Sequence, residues 1–199
     1  MKAVLSSTRP KWCEKICHEI GTDKNGKPIY EKTIEVRKTK PSIPTPFKVY
    51  IYCTNQKING EILLTYDKKV EGRNRGFREN GDIPLAGKVI GEFICDEVKE
   101  ITCLSFVAKG YEIDTCLTYK EFYHYGKGKP LYGWHISELK IYDKPKELSE
   151  FVTAREKDNC DDCGIAWQSW NGDFHCTLKH CDGYHLSRAP QSWIYVQEL

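Results

Sequence analysis

The 199-residue chain contains no apolar run near the roughly eighteen residues that a membrane-spanning helix needs. Its opening stretch, MKAVLSSTRPKWCEK, has no apolar segment long enough for a secretory signal. There is no internal repeat and no low-complexity tract, which sets aside solenoid and linker architectures. Net charge is small, +2 from 30 basic and 28 acidic residues. Cysteine, by contrast, is abundant. Ten cysteines without an export signal predict reduced thiols in a cytoplasmic setting, and a metal site rather than disulfides. The apolar share (40%) and charged share (29%) are ordinary for a globular protein, and the length fits one domain with a small appendage.

The small net charge hides an uneven distribution. Residues 1–50 carry 11 Lys and Arg against 5 Asp and Glu, whereas residues 142–199 carry 6 against 10. A basic front half either meets an anionic partner or forms a solvated surface. RPKWCEKICHEI spaces Trp12, Ile16 and Ile20 four apart, predicting a helix with Ser7 or Thr8 as N-cap and Gly21 as its stop. Strand signals follow in KTIEVR, FKVYIYCT, EILLTY, GKVIGEFICDE, EITCLSFVA and LYGWHISELKIYD. LTYKEFYHY (117–125) and PKELSEFV (145–152) read as short helices. Many short strands with few helices predict an α+β fold built on a small mixed barrel. The expected organisation is a barrel over 1–154, a Cys-rich insertion over 155–187, and a terminal strand over 188–199 that returns to the sheet.

Within the insertion, Cys160 and Cys163 are spaced C-x2-C, Cys176 follows after 12 residues and Cys181 after 4 more. A C-x2-C turn lets two thiolates reach one ion at about 2.3 Å, and a second pair completes a tetrahedron. His180 is an alternative to Cys181. With every position filled by protein, the expected Zn2+ holds structure rather than performing catalysis. Four free thiols are the competing reading. The other cysteines (Cys13, Cys17, Cys53, Cys95, Cys103 and Cys116) fall mainly in apolar runs and read as core.

EKTIEVRK (31–38) raises a different question. In a strand, Ile34 and Val36 share the core face, while Glu35 and Arg37 share the other, with Cα atoms about 7 Å apart. A carboxylate beside a guanidinium accepts a proton, bonds an exocyclic amine, or simply holds the arginine in place. The guanidinium fork suits phosphate or carboxylate. An edge-strand ion pair and the floor of a site both fit this pattern.

Taken together, RPKWCEKI, YEKTIEVRKTKP, FKVYIYCT and GKVIGEFICDEV resemble the ASCH family (activating signal cointegrator homology) of the PUA-like superfamily. The family's Lys-Trp helix, K-T-x-E-x-R strand, V-x-I-Y strand and G-x-V-x-G-x-F strand appear as Lys11-Trp12, Lys32 to Arg37, Val49 to Tyr52, and Gly87 to Phe93. The Trp-His strand LYGWHIS fits as well, and the ending RAPQSWIYVQEL is similar to that of many phage- and bacteria-encoded members. This resemblance implies a small barrel whose cleft, lined by Lys32, Glu35 and Arg37, binds RNA or a modified nucleotide. It also implies an alternative, a hydrolase of N4-acylated cytidine or of an RNA phosphodiester. Some bacterial relatives deacetylate N4-acetylcytidine with a lysine, a threonine and a glutamate. The lysine matches Lys32, but Glu35 stands where the threonine falls, and the glutamate has only loose counterparts in Glu97 and Glu100. A ribonuclease needs a base and a phosphate clamp, roles open to Glu35 and to Arg37 or Lys32. Catalytic expectations therefore fall on Lys32 and Glu35.

Around that strand, Lys11 is expected to contact phosphate, and Trp12 either packs in the core or stacks a base. Tyr132 and Trp134 share a strand face and can stack a base, while His135 points away. Lys127 and Lys129 form either a phosphate-contacting flap or a solvated turn, and Arg73, Arg75 and Arg78 sit in a basic loop. Gln191, Ser192 and Trp193 read as sheet closure outside the site. RNA or a modified nucleotide is the expected partner, and the oligomeric state is not legible.

Overall fold

Two sheets and a helical layer organise the chain, seen in a computed structural model that describes residues 1–55, 65–66, 77–78, 83–153, 166–168, 174–176 and 185–199. In chain order the first elements are β1 (Lys2–Thr8), α1 (Pro10–Cys17), β2 (Glu19–Thr22), β3 (Pro28–Tyr30), β4 (Ile34–Arg37) and β5 (Phe47–Cys53). The short strands β6 (Thr65–Tyr66), β7 (Phe77–Arg78) and β8 (Ile83–Pro84) follow, then β9 (Lys88–Cys95) and β10 (Val98–Ile101). Three helices come next: α2 (Cys103–Ala108), α3 (Tyr111–Thr115) and α4 (Tyr119–Gly126). The chain continues through β11 (Leu131–His135), β12 (Ser137–Glu147), a 3-10 turn (Leu148–Glu150), β13 (Ala166–Gln168), β14 (Phe174–Cys176) and β15 (Trp193–Gln197).

The fold is mixed α+β. The larger of the two main sheets runs β12-β9-β5-β1-β15 and the smaller β10-β11-β4; among the described residues β7-β6-β8, β2-β3 and β13-β14 pair as three further, separate sheets. β1 and β5 run parallel, from Val4 opposite Val49 to Thr8 opposite Cys53. Every other pairing among the described residues is antiparallel, including β15 on β1. β1 is central and buried on both faces, so AVLSST shows no alternation and carries no strand signal in the sequence.

Three apolar clusters follow from these layers. One, with Cys13, Ile16, Val49, Ile51, Phe93 and Trp134, fills the space between α1 and the sheets. A second lies on alternate residues of the larger sheet, where Leu5, Tyr50, Val89 and Val196 meet Phe151. The third joins Ile34, Val36 and Ile101 to Phe106 and Phe122, whose rings stack with centroids 4.3 Å apart. Gly133 in β11 permits that last approach: a Cβ there would lie 2.7 Å from Ile101 Cδ1 and 2.8 Å from Ile34 Cγ2.

Several local expectations are corrected. α1 stops at Cys17, and Ile20 passes into β2, where it is largely exposed. Its N-cap is Arg9, with no side-chain cap, because Ser7 and Thr8 are committed to β1. EITCLSFVA is not one strand: Thr102 and Ser105 form a capping box that turns the chain from β10 into α2. LYGWHISELKIYD divides at Ile136 into β11 of the smaller sheet and β12 of the larger. The helix expected over 145–152 is the end of β12 and one 3-10 turn. Most of EILLTY lies outside the described residues.

Candidate functional site

β4 is covered on both faces. Ile34 and Val36 pack toward α2–α4, and alternation sends Glu35 and Arg37 into the interior beside α1 and the end of β1. Lys32, just before β4, points the same way. Its ammonium donates to the Thr115 carbonyl at 2.6 Å and lies 3.4 Å from Glu35 Oε2. Arg37 Nη2 lies 2.9 Å from Glu35 Oε1. One carboxylate is thus held between two cations, and Lys32, Glu35 and Arg37 are only 2%, 6% and 5% exposed.

Such burial is tolerable only when the remaining hydrogen-bonding capacity is met. Arg37 meets most of it through the backbone. Nη1 donates to the carbonyls of Ser7 (2.9 Å) and Ser192 (3.4 Å), and Nη2 donates to the Thr8 hydroxyl (3.0 Å). Burial pulls the Lys32 ammonium below the ordinary lysine range, and the Glu35 carboxylate opposes that pull. The ion cluster therefore ties β4 to the ends of β1, α3 and the segment before β15.

These three residues form the floor of one cavity of about 700 Å³. Trp12, Leu117 and Tyr125 supply apolar wall, and Thr54, Asn55 and Gln191 part of the rim. Two ammonium groups approach the Trp12 ring, Lys32 Nζ at 5.3 Å and Lys11 Nζ at 4.5 Å from its centroid. Lys11 also pairs with Glu121 at 2.9 Å. The Thr118 backbone N–H, followed by Lys11, holds the Glu121 carboxyl down at about 2. At the mouth, Lys38 Nζ sits 4.9 Å from the Tyr125 ring, whose phenol is pushed up by burial. The combination is a charged, hydrogen-bonding floor below an aromatic wall.

Of the residues singled out in the sequence, Lys32, Glu35, Arg37 and Trp12 line this cavity, and Lys11 stands beside it on Trp12 and Glu121. Trp134 does not fit the base-stacking expectation. It is fully buried, with edge contacts to Phe47 at 5.8 Å and Trp193 at 6.1 Å, so no ring face is open to a ligand. Tyr132, opposite Arg37 on β11, is half-buried against the same core and is not part of the lining. His135 pairs with Asp96 at 2.6 Å on the surface; Glu97 pairs with Lys99, and Glu100 is exposed on β10, all away from the cavity.

Thr8, Arg9, Thr54, His124, Tyr125 and Gln191 also line the cavity, and none of them was assigned a ligand contact from the sequence. Gln191 and the Ser192 carbonyl belong to the ending read as sheet closure, yet one lines the cavity and the other binds Arg37. The metal expectation falls elsewhere: Cys160, Cys163, His180 and Cys181 lie outside the described residues, as do Arg73 and Arg75, and Cys176 ends β14. Among the described residues no three His, Cys, Asp or Glu side chains gather as metal ligands. No described helix is long and apolar enough to cross a membrane.

No family model matches the chain, and no curated protein matches it. Among solved structures, crystal structures of an ASCH protein from Zymomonas mobilis are similar to it. One single-residue mutant has a TM-score of 0.47 at 15% identity, over 74% of this chain and 77% of that one. A second mutant and the unsubstituted protein each have a TM-score of 0.46 at 15% identity, over 73% of this chain and 74% and 73% of theirs.

Proposed function

We propose that the cleft binds a nucleotide, as part of RNA or as a modified nucleotide, with its base against Trp12 and the base's polar edge on the Lys32–Glu35–Arg37 cluster. The observation that carries this reading is the convergence of those three buried ions on the floor of one open cavity with an aromatic wall. Aromatic faces accept any base, and the mixed donors and acceptor below them select its edge. The test is calorimetric titration of the folded chain with common and N4-acylated nucleosides and nucleotides. Saturable binding that weakens at least about tenfold in Trp12→Ala supports the reading. Absence of binding to every probe, or binding indifferent to Trp12, would sink it.

A second reading, hydrolysis in the same cleft, is favoured by one observation. Lys32 is a buried amine with a lowered pKa, 3.4 Å from a carboxylate, an arrangement that serves proton transfer. Glu35 would act as base and Lys32 would stabilise developing negative charge. Turnover of N4-acetylcytidine or an oligoribonucleotide, lost in Glu35→Gln, supports it; binding without turnover removes it. We also propose a structural zinc on Cys160, Cys163, Cys176 and Cys181, with His180 as substitute. The antiparallel pair of β13 and β14, which lies between Cys163 and Cys181 in the chain and ends at Cys176, supports that reading. Metal analysis giving well under one equivalent of zinc would remove it.

A further inference from the structure

The cavity has a second end, where Arg9, Thr54 and the Arg37 Nε–H take no part in the base contacts. The parallel pair finishes there: Thr8 ends β1 and is followed by Arg9, and Thr54 follows β5. Crevices at the carboxyl ends of parallel strands commonly receive ligands. Thr8 ties this end together, its carbonyl accepting from the Thr54 N–H (2.9 Å) and its hydroxyl from Arg37 Nη2 (3.0 Å). Thr8, Arg9, Arg37 and Thr54 all line the cavity.

Two polar groups at this end are buried without a hydrogen-bond partner, the Arg37 Nε–H and the Thr54 hydroxyl. Buried polar groups are normally satisfied, so these two hold hydrogen-bonding capacity that the described residues do not meet. Arg9 is exposed at the mouth and forms no ion pair among the described residues. Helix α1 begins here with no acidic residue in its first turn. The lining carboxylates are already occupied, Glu35 by Lys32 and Arg37, and Glu121 by Lys11. This end therefore offers donors and positive charge to an acceptor that carries negative charge.

We infer that it is a phosphate subsite, and that the ligand of the cleft is phosphorylated rather than a bare nucleoside. The inference rests on the nucleotide reading of the cleft. Arg9 supplies a guanidinium fork, Thr54 a hydroxyl, and Arg37 its Nε–H, a set suited to phosphate oxygens. The phosphate belongs either to a free nucleotide or to a link in an RNA chain.

The experiment titrates the full chain with the four ribonucleosides, their 5′- and 3′-monophosphates, and a short mixed-sequence oligoribonucleotide. Wild type is compared with Arg9→Ala, Arg9→Lys and Thr54→Val, each checked for folding by circular dichroism. The expected result is affinity for a phosphorylated probe about tenfold or more above its nucleoside, a ratio that collapses toward one in Arg9→Ala and Thr54→Val and partly returns in Arg9→Lys. Preference for a monophosphate identifies a free nucleotide, and preference confined to the oligoribonucleotide identifies a chain phosphate. Equal binding of nucleosides and phosphorylated probes would overturn the subsite while leaving the base cleft standing. A phosphate preference untouched by both Arg9→Ala and Thr54→Val would remove it from this end. Failure of every probe to bind overturns the cleft reading, and this inference with it.

Discussion

The floor of the cleft and the surface around helix α1 are built from the same residue types with opposite consequences. On the floor, Glu35 sits between Lys32 and Arg37 with all three almost out of solvent. On the surface, Glu31 is likewise held by two partners, Lys15 and His18, and Glu121 by Lys11, but these side chains remain substantially exposed. Water replaces a lost partner at the surface and cannot do so on the floor. The exposed clusters are solvated trimmings, whereas the buried one is held in place by the fold and constrains it in turn.

The sharpest way to break that contrast is Glu35→Ala. It leaves two buried cations facing each other without their shared anion, and it should cost about 3–5 kcal/mol in urea denaturation. A loss below about 1 kcal/mol would mean that the floor behaves like the surface. Arg37→Met should come next, at about 2–3 kcal/mol, because it removes the charge-assisted bonds to Ser7, Thr8 and Glu35 together.

A pH series separates the two regions by sign. Burial lowers the pKa of Lys32, so in the window below the ordinary lysine value of 10.5 the unfolded chain binds more protons than the folded one. Stability from this group therefore rises as pH climbs through that window, and the rise should be missing in Lys32→Met. The Glu121 carboxyl is depressed to about 2 from 4.5, so its contribution is present above 4.5 and is lost as pH falls through about 2. The smallest effects belong to Glu31→Gln and Glu121→Gln. Each should change stability by at most about 1 kcal/mol, Glu121 mainly through its cap on α4.

Legibility in the sequence followed the same divide. IEVR displays its two faces through simple alternation, so the pairing of Glu35 with Arg37 could be read directly, and Lys32 entered through the family resemblance. Trp134 shows the limit of that reasoning: it shares a face with Glu35 on the neighbouring strand, yet the face passes from cleft to core within one residue pair. β1 left no alternating trace because both its faces are covered. TCLSFVA looked like strand from its apolar run; the box that caps the helix pairs Thr102 with Ser105, without the Glu or Gln that marks such a box in a sequence. Thr8, Arg9, Thr54 and Gln191 meet only because β1, β5 and the segment before β15 end at one place, a fact of topology rather than of local pattern.

The most direct test of the central claim follows the Trp12 indole N–H and the Arg37 Nε–H by nuclear magnetic resonance during a nucleotide titration. If the buried ion cluster is the floor of a nucleotide site, both signals shift saturably and together, while the surface His135 ring signals stay in place. Saturable binding that moves residues elsewhere and leaves Trp12 and Arg37 unshifted would contradict it.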